Sequence, residues 1–312
     1  MIKNFIVIGA GISGLNIARR IQGLNLGSTL VVEKSRGVGG RMATRRTLDC
    51  RFDHGAQFYR LKADIKELHQ GWQQSGISHE WFVSSKGDHW CSGSGMTTLA
   101  KSMAEGLEIS LEKEIQKVHF ENNIWKLTSN KNEDWFCQNL IISSPIPQTA
   151  KLLAGVVNEQ LLAKITKINY TKALIALVTL EEDLIINAGG YVEFDSGHYF
   201  SISDQRKKGV SNIPALTITM SADFSEQEFE LVDELILEKI IMLFTADFPN
   251  AKIKGKELKK WRYCQPQTSF ENLFLEIAPN LFLIGDAFGG SSLLGAIRSS
   301  EALGNFLIES HK

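Results

Sequence analysis

The stretch FIVIGAGISG at residues 5–14 decides the fold. Its four apolar residues, 5–8, predict a buried parallel strand, and the three glycines that follow have the spacing G-x-G-x-x-G. Residues 12–22 carry apolar side chains on one side and basic or polar side chains on the other, which predicts an amphipathic helix. A second apolar run, residues 29–32, ends in Glu33. The pattern predicts a β-α-β unit with an acid at the end of its second strand.

Each glycine of this motif has a separate physical role. Gly9 permits the tight turn out of the strand, Gly11 lets a pyrophosphate approach the backbone, and Gly14 lets the helix pack close to the strand. The helix N-terminus offers unpaired N–H groups to an anion, and Glu33 can accept hydrogen bonds from a ribose diol. The alternative is a glycine-rich turn in an ordinary α/β protein, but here the strands, the helix and the acid are all in place. The motif alone leaves NAD, NADP and FAD open as the ligand.

The composition excludes several classes of protein. The 312 residues are 43% hydrophobic and 22% charged, with a net charge of −1, which is typical of a globular protein of one or two domains. The bulk charge indicates no nucleic-acid partner and no anionic membrane. The first strand begins close to Met1 and every apolar run is short, so we expect no signal peptide, no membrane partner and a cytoplasmic location. Cys50, Cys91, Cys137 and Cys264 form no CxxC pair, which favours reduced cysteines and no metal site.

Two further glycine-rich segments extend the predicted ligand site. Residues 34–46 combine adjacent glycines with Arg41 and a basic cluster, so this loop can pass close to a ligand and address phosphates. A flexible basic surface loop is the alternative interpretation. Near the other end of the chain, the apolar run 281–284 leads into Gly285-Asp286 and a glycine-rich helix start. Both ends of the chain are therefore expected to contribute to one nucleotide-binding fold.

The middle of the chain predicts further helices and two groups of strands. Residues 109–143 predict a small antiparallel meander, and residues 79–91 predict two short strands joined by a turn. The run Ser225–Glu228 is a capping box that is expected to open a long helix ending near Asp247. Helices are also predicted at residues 65–74, 96–105 and 147–166, and strands at 172–180, 191–194, 199–203 and 215–220.

With these motifs assembled, the chain resembles a known group of flavoenzymes. The motif with Glu33, the run Gly39-Gly40-Arg41-Met42 and the late Gly285-Asp286 resemble the FAD-binding enzymes of the glutathione reductase and amine oxidase fold group. Because the last two segments extend the binding track well beyond an ADP moiety, we expect FAD. No cysteine lies in a motif for a covalent flavin link, so the FAD is expected to be non-covalent.

A closer resemblance is to the renalase-like family. It is carried by DHGAQF at residues 53–58, KWRY at residues 260–263 and the meander at residues 109–143, and it extends over essentially the whole chain. The predicted fold class is α/β, with a Rossmann-like FAD-binding domain (β-α-β plus antiparallel meander) and a second, mainly antiparallel α+β substrate domain. The predicted FAD-binding domain comprises residues 1–76, 94–148 and 264–312, and the substrate domain residues 77–93 and 149–263.

The resemblance implies an extended FAD and a role for each matched position. Ser13 and the glycines would face the pyrophosphate, Glu33 the adenosine ribose, and the backbone of Val118 the adenine. Arg41 would lie along the phosphates and ribityl chain, and Asp286 would hold a ribityl hydroxyl. The full set of cofactor-binding residues implied in this way is Gly9, Gly11, Ser13, Gly14, Glu33, Lys34, Gly40, Arg41, Met42, His54, Gln57, Phe58, Val118, Asp286, Ala296 and Ile297.

At the flavin end, the resemblance implies three contacts. Gln57 and Phe58 would approach the flavin, and the helix start around Ala296 and Ile297 would point its N–H groups at the pyrimidine edge. The sequence departs from the family pattern at Ala287, where relatives often carry a bulky aromatic residue. This departure leaves the flavin environment, and with it the shape of the substrate, open.

The activity implied by the resemblance is that of an oxidase. The flavin carries the hydride chemistry, which fits a chain without a Ser-His-Asp, Cys-His or His-metal constellation. For renalase-like proteins the implied substrates are isomeric dihydropyridine forms of NAD(P)H, which are oxidised to NAD(P)+ while dioxygen becomes hydrogen peroxide. No catalytic side chain is assigned. The form of the dinucleotide and the oligomeric state are left open.

Five residues are candidates for the substrate wall: Tyr59, Arg60, His198, Trp261 and Tyr263. For Trp261 and Tyr263, packing in a hydrophobic core is an equal alternative. His198 is more typical of a loop or strand histidine than of a catalytic base. The basic run Arg206–Lys208 is typical of a solvated loop, although it could instead meet the phosphates of a dinucleotide substrate.

Other functions stay open at this point. A flavin amine oxidase would act on an amine held in an aromatic cage, and a desaturase would act on a lipid-like substrate. An NADPH-dependent monooxygenase is a third possibility. A flavin-binding redox sensor without turnover is the alternative outside the enzymes.

Overall fold

The computed structural model describes residues 1–310 and confirms the mixed α/β fold class. Tertiary contacts divide the chain into two compact units. The first unit contains residues 1–40, 100–169 and 266–310, and the second contains residues 41–99 and 170–265. This division differs from the predicted one because residues 41–76 and 94–99 lie in the second unit, residues 149–169 lie in the first, and residues 264–265 lie in the second. The assignment of the units to cofactor and substrate stays a prediction.

The strands within the described residues are β1 (Ile2–Ile8), β2 (Thr29–Val32), β3 (Thr44–Arg46), β4 (Arg51–Asp53), β5 (His79–Ser84), β6 (Gly87–Cys91), β7 (Ile109–Ser110), β8 (Ile115–Glu121), β9 (Ile124–Ser129), β10 (Asp134–Ile142), β11 (Ala173–Leu180), β12 (Tyr191–Glu193), β13 (Tyr199–Asp204), β14 (Ala215–Met220), β15 (Ile253–Trp261), β16 (Leu275–Ala278) and β17 (Leu281–Leu283).

The α-helices within the same residues are α1 (Ile12–Gly23), α2 (Lys66–Gln74), α3 (Thr97–Ala104), α4 (Ile146–Leu153), α5 (Glu159–Ile165), α6 (Ala222–Glu228), α7 (Asp233–Asp247), α8 (Asp286–Gly289) and α9 (Leu293–Ser310). Short 3-10 turns occupy Gly40–Met42 and Ala63–Ile65.

The first unit is built on a sheet whose strands follow the order β16-β17-β10-β1-β2-β7. Strand β1 pairs in parallel with both β2 and β10, so that Ile6 lies opposite Leu30 on one side and Leu140 on the other. Phe5, Ile6 and Val7 have no exposed surface, as expected for a central parallel strand covered on both faces. The predicted β-α-β unit is confirmed.

The predicted meander is confirmed for β8, β9 and β10, which pair antiparallel in sequence order. The prediction was wrong for residues 109–111, because β7 pairs in parallel with β2, with Ile109 opposite Val31. A parallel neighbour requires a crossover connection. Helix α3 lies between β2 and β7 in the chain, so it belongs to that connection.

The second unit contains an antiparallel sheet with the order β12-β13-β14-β11-β15, which confirms the predicted antiparallel lobe. Its buried face packs against α6 and α7 through the apolar side chains of Leu174, Ile218, Ile236 and Phe244. Two smaller antiparallel pairs, β3–β4 and β5–β6, lie in the same unit. The pair β5–β6 is the hairpin predicted at residues 79–91.

The predicted capping box at Ser225 was wrong. Ser221 caps α6 by accepting a hydrogen bond from the Phe224 N–H at 3.3 Å, and the long helix α7 begins only at Asp233. The Ser225 hydroxyl instead accepts a buried hydrogen bond from the Leu174 N–H at 3.0 Å. The single helix predicted at residues 147–166 is likewise two helices, α4 and α5, with Gly155 at φ +76° between them.

Candidate functional site

The glycine turn between β1 and α1 is shaped by close backbone contacts. Gly9 has φ +103°, and its N–H donates to the Val32 carbonyl at 2.8 Å. A Cβ added at Gly14 would lie 2.0 Å from the Gly9 carbonyl oxygen, so only glycine permits this approach. A Cβ added at Gly11 would meet nothing within 4 Å. The turn is therefore closed against the sheet at Gly14 and open on the outside at Gly11.

The open side of this turn carries unpaired polar groups. The buried Ser13 hydroxyl has no hydrogen-bond partner among the described residues. No side chain caps α1, and no acidic residue lies in its first turn. A helix N-terminus with free N–H groups favours an anion. Together with the space beside Gly11, these groups fit the pyrophosphate of a dinucleotide.

Glu33 directly follows β2 and links the glycine turn to the segment after β2. One carboxylate oxygen accepts the Ala10 N–H at 2.8 Å, and the other accepts the Ser35 N–H at 2.8 Å. The residue is 8% exposed, and each carboxylate oxygen can accept a further hydrogen bond. Glu33 can therefore both hold the turn and bind a ribose. The neighbouring Lys34 reaches the Gln148 amide oxygen at 3.2 Å.

The loop at Gly39 and Gly40 lies beside the glycine turn within the first unit. The Gly39 N–H donates to the Ala10 carbonyl at 2.8 Å, and Gly39 forms a parallel bridge with Gly11. Gly40 has φ +52°, and a Cβ there would lie 3.4 Å from the Gly11 Cα. The two glycine-rich segments are thus adjacent, as a continuous phosphate-binding track requires.

Two other predicted contacts of the first unit lie on an edge strand and at a helix start. Val118 is buried on β8, which among the described strands pairs only with β9, so the other edge of β8 has no strand partner. Asp286 is 7% exposed at the start of α8, directly after Gly285 at φ +132°. The roles of Val118 and Asp286 toward a cofactor stay predictions.

The start of α9 differs from the prediction. The helix begins at Leu293, so the Ala296 N–H already donates to the Ser292 carbonyl at 3.0 Å, and Ile297 is fully buried. The Ala296 N–H is thus paired within the helix, and the role of Ala296 and Ile297 toward a flavin stays a prediction. The aromatic ring missing at Ala287 is present one position later, where Phe288 stacks on Phe270 at 4.8 Å.

In the second unit, Arg41 is held by its neighbours. Its guanidinium donates to the Cys264 carbonyl at 2.8 Å and lies 5.8 Å from the ring of Tyr170. Tyr263 packs edge-to-face on Tyr170 at 6.1 Å, so Arg41, Tyr170 and Tyr263 form one cluster. Met42 is buried, and its carbonyl accepts the Thr97 hydroxyl at 2.9 Å.

His54 and Trp261 form a rigid stacked pair. Their ring centroids are 5.5 Å apart with an interplanar angle of 17°, and the Trp261 indole N–H donates to the His54 carbonyl at 2.7 Å. Burial, with the nearby Lys259 charge, lowers the pKa of His54 to about 4, so the imidazole is neutral at pH 7. Its buried Nδ1 has no partner among the described residues. The pair provides a neutral aromatic surface.

Phe58 and Arg60 belong to a second aromatic cluster. Phe58 contacts His89 at 4.4 Å and Tyr191 at 5.2 Å, and the Arg60 guanidinium lies 5.2 Å from the Phe58 ring. The Arg60 Nε also donates to the His89 Nε2 at 3.3 Å. Burial, reinforced by the Arg60 charge, lowers the pKa of His89.

The five candidates for the substrate wall do not form one cluster. Tyr59 is 3% exposed, and its hydroxyl bonds to His69 Nδ1 at 2.9 Å and to Ser78 at 2.6 Å, which makes it a core residue. His198 is exposed, with its ring edge-to-face on Phe224. Trp261 stacks on His54, Tyr263 packs on Tyr170, and Arg60 lies over the ring of Phe58. Their role toward a substrate stays a prediction.

Sequence reasoning missed a buried polar network around Gln57. The Gln57 amide oxygen accepts hydrogen bonds from Ser203 at 2.9 Å and from Gln205 at 3.1 Å, and Lys208 lies 3.4 Å away. Lys208 has no exposed surface and pairs with Asp53 at 2.7 Å. The expectation of a solvated loop holds for Arg206, which pairs with Asp183, and fails for Lys208. No local sequence signal separates Lys208 from the adjacent Lys207.

Residues 1–310 contain neither a cluster of metal-ligating side chains nor a helix that could span a membrane. No group of three or more His, Cys, Asp or Glu side chains is placed to hold a metal ion within this range. In the same part of the chain, every helix is too short or too polar to cross a membrane.

Comparison with known proteins agrees with this architecture. A family model described as "NAD(P)-binding Rossmann-like domain" matches residues 7–71, and a model described as "Flavin containing amine oxidoreductase" matches residues 71–302. The chain is 22% identical to renalase of Mus musculus over an alignment 331 positions long, which covers 95% of this chain and 96% of renalase.

Solved structures share the fold. A protein described as a protoporphyrinogen oxidase from Exiguobacterium sp. 255-15 superposes with a TM-score of 0.77 at 11% identity, covering 99% of both chains. A triple mutant of putrescine oxidase, made to redesign cofactor binding, superposes with a TM-score of 0.78 at 12% identity and the same coverage. The likeness extends over both units of the chain.

Proposed function

The chain belongs to the family of flavin-containing amine oxidoreductases, and from this premise we propose that it is a renalase-like, FAD-dependent oxidase of isomeric dihydropyridine forms of NAD(P)H. The overall reaction is the isomer plus dioxygen and a proton, giving NAD(P)+ and hydrogen peroxide. One observation carries the choice within the family: the similarity to renalase runs through 95% of this chain and 96% of renalase.

The first unit has the parts needed to hold the adenosine half of FAD. Gly11 leaves the pyrophosphate room, Ser13 offers an unpaired hydroxyl, and Glu33 retains lone pairs for the ribose. A helix N-terminus adds favourable electrostatics of about 0.3–1 kcal/mol per anionic contact. In the first unit, Asp286 is proposed to hold a ribityl hydroxyl. Arg41, in the second unit, is separately proposed to bind the phosphates and the ribityl chain.

Bound flavin supplies a two-electron acceptor, so the protein itself needs to supply only position and environment. His54 is neutral and stacked, and Trp261 is fixed by its hydrogen bond to the His54 carbonyl. Such a surface can orient a planar ring without donating a proton to it. Precise orientation of the two reacting rings is the main requirement of hydride transfer.

The test is anaerobic mixing of the purified, flavin-loaded protein with borohydride-treated NAD, which contains the isomeric dihydropyridines. We expect rapid bleaching of the flavin absorption and, after air is admitted, hydrogen peroxide. Pure NADPH under the same conditions should bleach the flavin slowly. A protein that cannot be loaded with FAD would disprove the cofactor, and a loaded protein that the isomers do not bleach would disprove the substrate.

The second candidate is an amine oxidase, which is favoured by the family model and by the likeness to putrescine oxidase. Putrescine and simple monoamines therefore belong in the same anaerobic series. Bleaching by an amine, and not by the isomers, would select this alternative.

A further inference from the structure

Lys208 and Asp53 form a fully buried ion pair in the second unit. The Lys208 Nζ lies 2.7 Å from the Asp53 Oδ2, and both side chains have 0% exposed surface. The same ammonium lies 5.2 Å from the ring of Trp81. Desolvation of two such charges costs about as much as their attraction returns, so a sealed pair is weak evidence for stability. Its geometry points to another role.

Both carboxylate oxygens of Asp53 are engaged in hydrogen bonds. Its second carboxylate oxygen accepts the Thr44 hydroxyl at 2.6 Å and the Met96 N–H at 2.8 Å. Its main-chain carbonyl accepts the Thr217 hydroxyl at 2.9 Å. The Asp53 end of the turn is thus fixed to β3, to the start of α3 and to β14.

Gln57 fixes the other end of the same turn. Its amide nitrogen donates to the carbonyls of Asp53 at 2.7 Å and Gly55 at 3.1 Å, so the turn is wrapped around its own side chain. Its amide oxygen accepts a hydrogen bond from the Ser203 hydroxyl at 2.9 Å and lies 3.4 Å from the Lys208 ammonium. Lys208 therefore contacts both ends of the turn at residues 53–57.

The turn at residues 53–57 also fixes the position of Arg41. The Ala56 N–H donates to the Arg41 carbonyl at 2.8 Å. A Cβ added at Gly55 would lie 1.9 Å from the same carbonyl oxygen, so the two segments are in direct backbone contact. The turn also contains His54, whose carbonyl holds Trp261. Residues that the proposed function places at the cofactor and substrate are thus attached to one turn.

We propose that Lys208 is a positioning residue: through Asp53 and Gln57 it sets the geometry of the turn at residues 53–57, and through that turn the places of Arg41, His54 and Trp261. The inference rests on the proposed function for what these three residues do. It goes beyond that function because the Lys208 side chain has 0% exposed surface and so offers no surface to a ligand. It acts on the reaction only by holding the residues that do.

The test uses the flavin-loaded protein and two variants. The double variant Lys208→Met/Asp53→Asn removes both charges while keeping an acceptor for Thr44 and Met96. Ser203→Ala removes one hydrogen bond to Gln57 and the bond that the Gln205 amide donates to the Ser203 hydroxyl, and it leaves the ion pair in place. The matched control is Lys207→Met, because Lys207 is the adjacent lysine and its side chain is exposed, with its ammonium donating to the Asn187 carbonyl at 3.1 Å.

Two measurements are made on each protein. Amide hydrogen exchange is followed in peptides covering residues 53–58 and, for comparison, residues 5–20. The flavin absorption band and the rate constant of anaerobic bleaching are then recorded with borohydride-treated NAD. The exchange measurement needs no substrate, so it stands even if the isomers fail to bleach the wild-type flavin. In that event the proposed function fails and the positioning inference is judged by exchange and the flavin band.

We expect residues 53–58 to exchange about tenfold faster in both variants, because each lost hydrogen bond lowers the local opening free energy. Residues 5–20 and the Lys207→Met control should exchange as in the wild type. The flavin band should shift, and bleaching should slow about tenfold, at unchanged flavin content in Ser203→Ala. A purely structural role predicts an unchanged band and bleaching rate in folded, loaded variants, and that result would overturn the proposal. If the double variant does not accumulate, an unchanged flavin band and bleaching rate in a Ser203→Ala protein whose residues 53–58 exchange faster would overturn the proposal, because the turn would then not position the residues assigned to the flavin.

Discussion

Glu33 in the first unit and Asp53 in the second unit are both buried carboxylates that hold a loop, but their partners differ. Glu33 is satisfied by the backbone N–H groups of Ala10 and Ser35, both at 2.8 Å. Asp53 is sealed, and it faces the ammonium of Lys208 at 2.7 Å. The 8% exposure of Glu33 leaves it an open side for a ligand, whereas Asp53 can act only through the turn that it fixes.

This difference separates two ways of building a site. The glycine turn depends on backbone shape, because a single Cβ added at Gly14 would clash with the Gly9 carbonyl oxygen and keep the turn from closing. The turn at residues 53–57 depends on charge pairing and side-chain hydrogen bonds. Substitutions that add a methyl group should therefore damage the first site, and substitutions that remove a charge should damage the second.

The largest effect is expected for Lys208→Met. The substitution leaves the Asp53 carboxylate buried without its cation, and breaking a buried pair in this way costs about 3–5 kcal/mol. The free energy of unfolding in urea should fall by this amount at pH 7. Lys208→Met/Asp53→Asn should recover at least half of the loss because no unpaired charge remains.

Lys207→Met is the control for this series and should change the unfolding free energy by less than about 0.5 kcal/mol, as is usual for exposed positions. A Lys208→Met protein as stable as the wild type would break the comparison. It would mean that the second site, like the first, is held by its backbone.

The same difference decides what the sequence predicts. Glu33 follows the glycine turn at a fixed spacing in one β-α-β unit, so its position is predicted from local pattern alone. The partner of Asp53 is 155 residues away and stands in a basic run next to Lys207. Nothing local distinguishes the buried lysine from the exposed one, because burial is decided by how β13 and β14 bring the loop to β4.

Side-chain direction was a second limit of the sequence. Phe58 and Tyr59 are neighbours in a motif, yet Phe58 joins the cluster of Tyr191 and Arg60 whereas Tyr59 turns into the core beside His69. Residues that follow one another in an extended segment point to opposite sides. The motif alone does not say which of the two sides faces a ligand.

The next effect in size is expected for Gly14→Ala. The new Cβ would lie 2.0 Å from the Gly9 carbonyl oxygen, and a backbone atom in a tight turn cannot move aside cheaply. Overpacking of this kind costs about 2–3 kcal/mol. We expect a lower free energy of unfolding in urea and weaker FAD retention.

Gly23→Ala is the matched control for Gly14→Ala, because Gly23 ends the same helix and a Cβ there meets nothing within 4 Å. It should be neutral or stabilising by up to about 1 kcal/mol through helix propensity. Full stability of Gly14→Ala would show that the turn is less rigid than its contacts indicate.

A third prediction concerns pH and the stacked pair of the second unit. The pKa of His54 is lowered to about 4 by burial and the Lys259 charge, from a usual value of 6.5. Between pH 6.5 and 4 the unfolded chain therefore binds a proton that the folded chain does not, so stability falls as the pH falls. The loss should be on the order of 2 kcal/mol across this window.

The measurement is urea unfolding of the flavin-free protein at several pH values, compared with His54→Gln. The difference between the two stability profiles isolates His54 from other groups, including His69 and His89, whose pKa values are also lowered by burial. Parallel profiles would contradict the prediction. They would mean that the His54 imidazole becomes protonated in the folded protein, so that a positive charge is tolerated beside Trp261.

The smallest effect on stability, and the sharpest test of the cofactor site, is expected for Gly11→Ala. Gly11 has φ −74°, which alanine adopts freely, and its Cβ would meet nothing within 4 Å. The free energy of unfolding without cofactor should stay within about 1 kcal/mol of the wild type. Any increase in stability would come from the lower conformational entropy of the unfolded chain. The methyl group would occupy the space assigned to the pyrophosphate, so FAD affinity should fall about tenfold or more.

Urea unfolding and titration with FAD, each beside Gly23→Ala, measure the two quantities separately. Unchanged affinity would show that the pyrophosphate does not approach Gly11, and reduced stability would show that this side of the turn is not open. Only loss of affinity at full stability is consistent with a turn whose two glycines, Gly14 and Gly11, serve packing and binding separately.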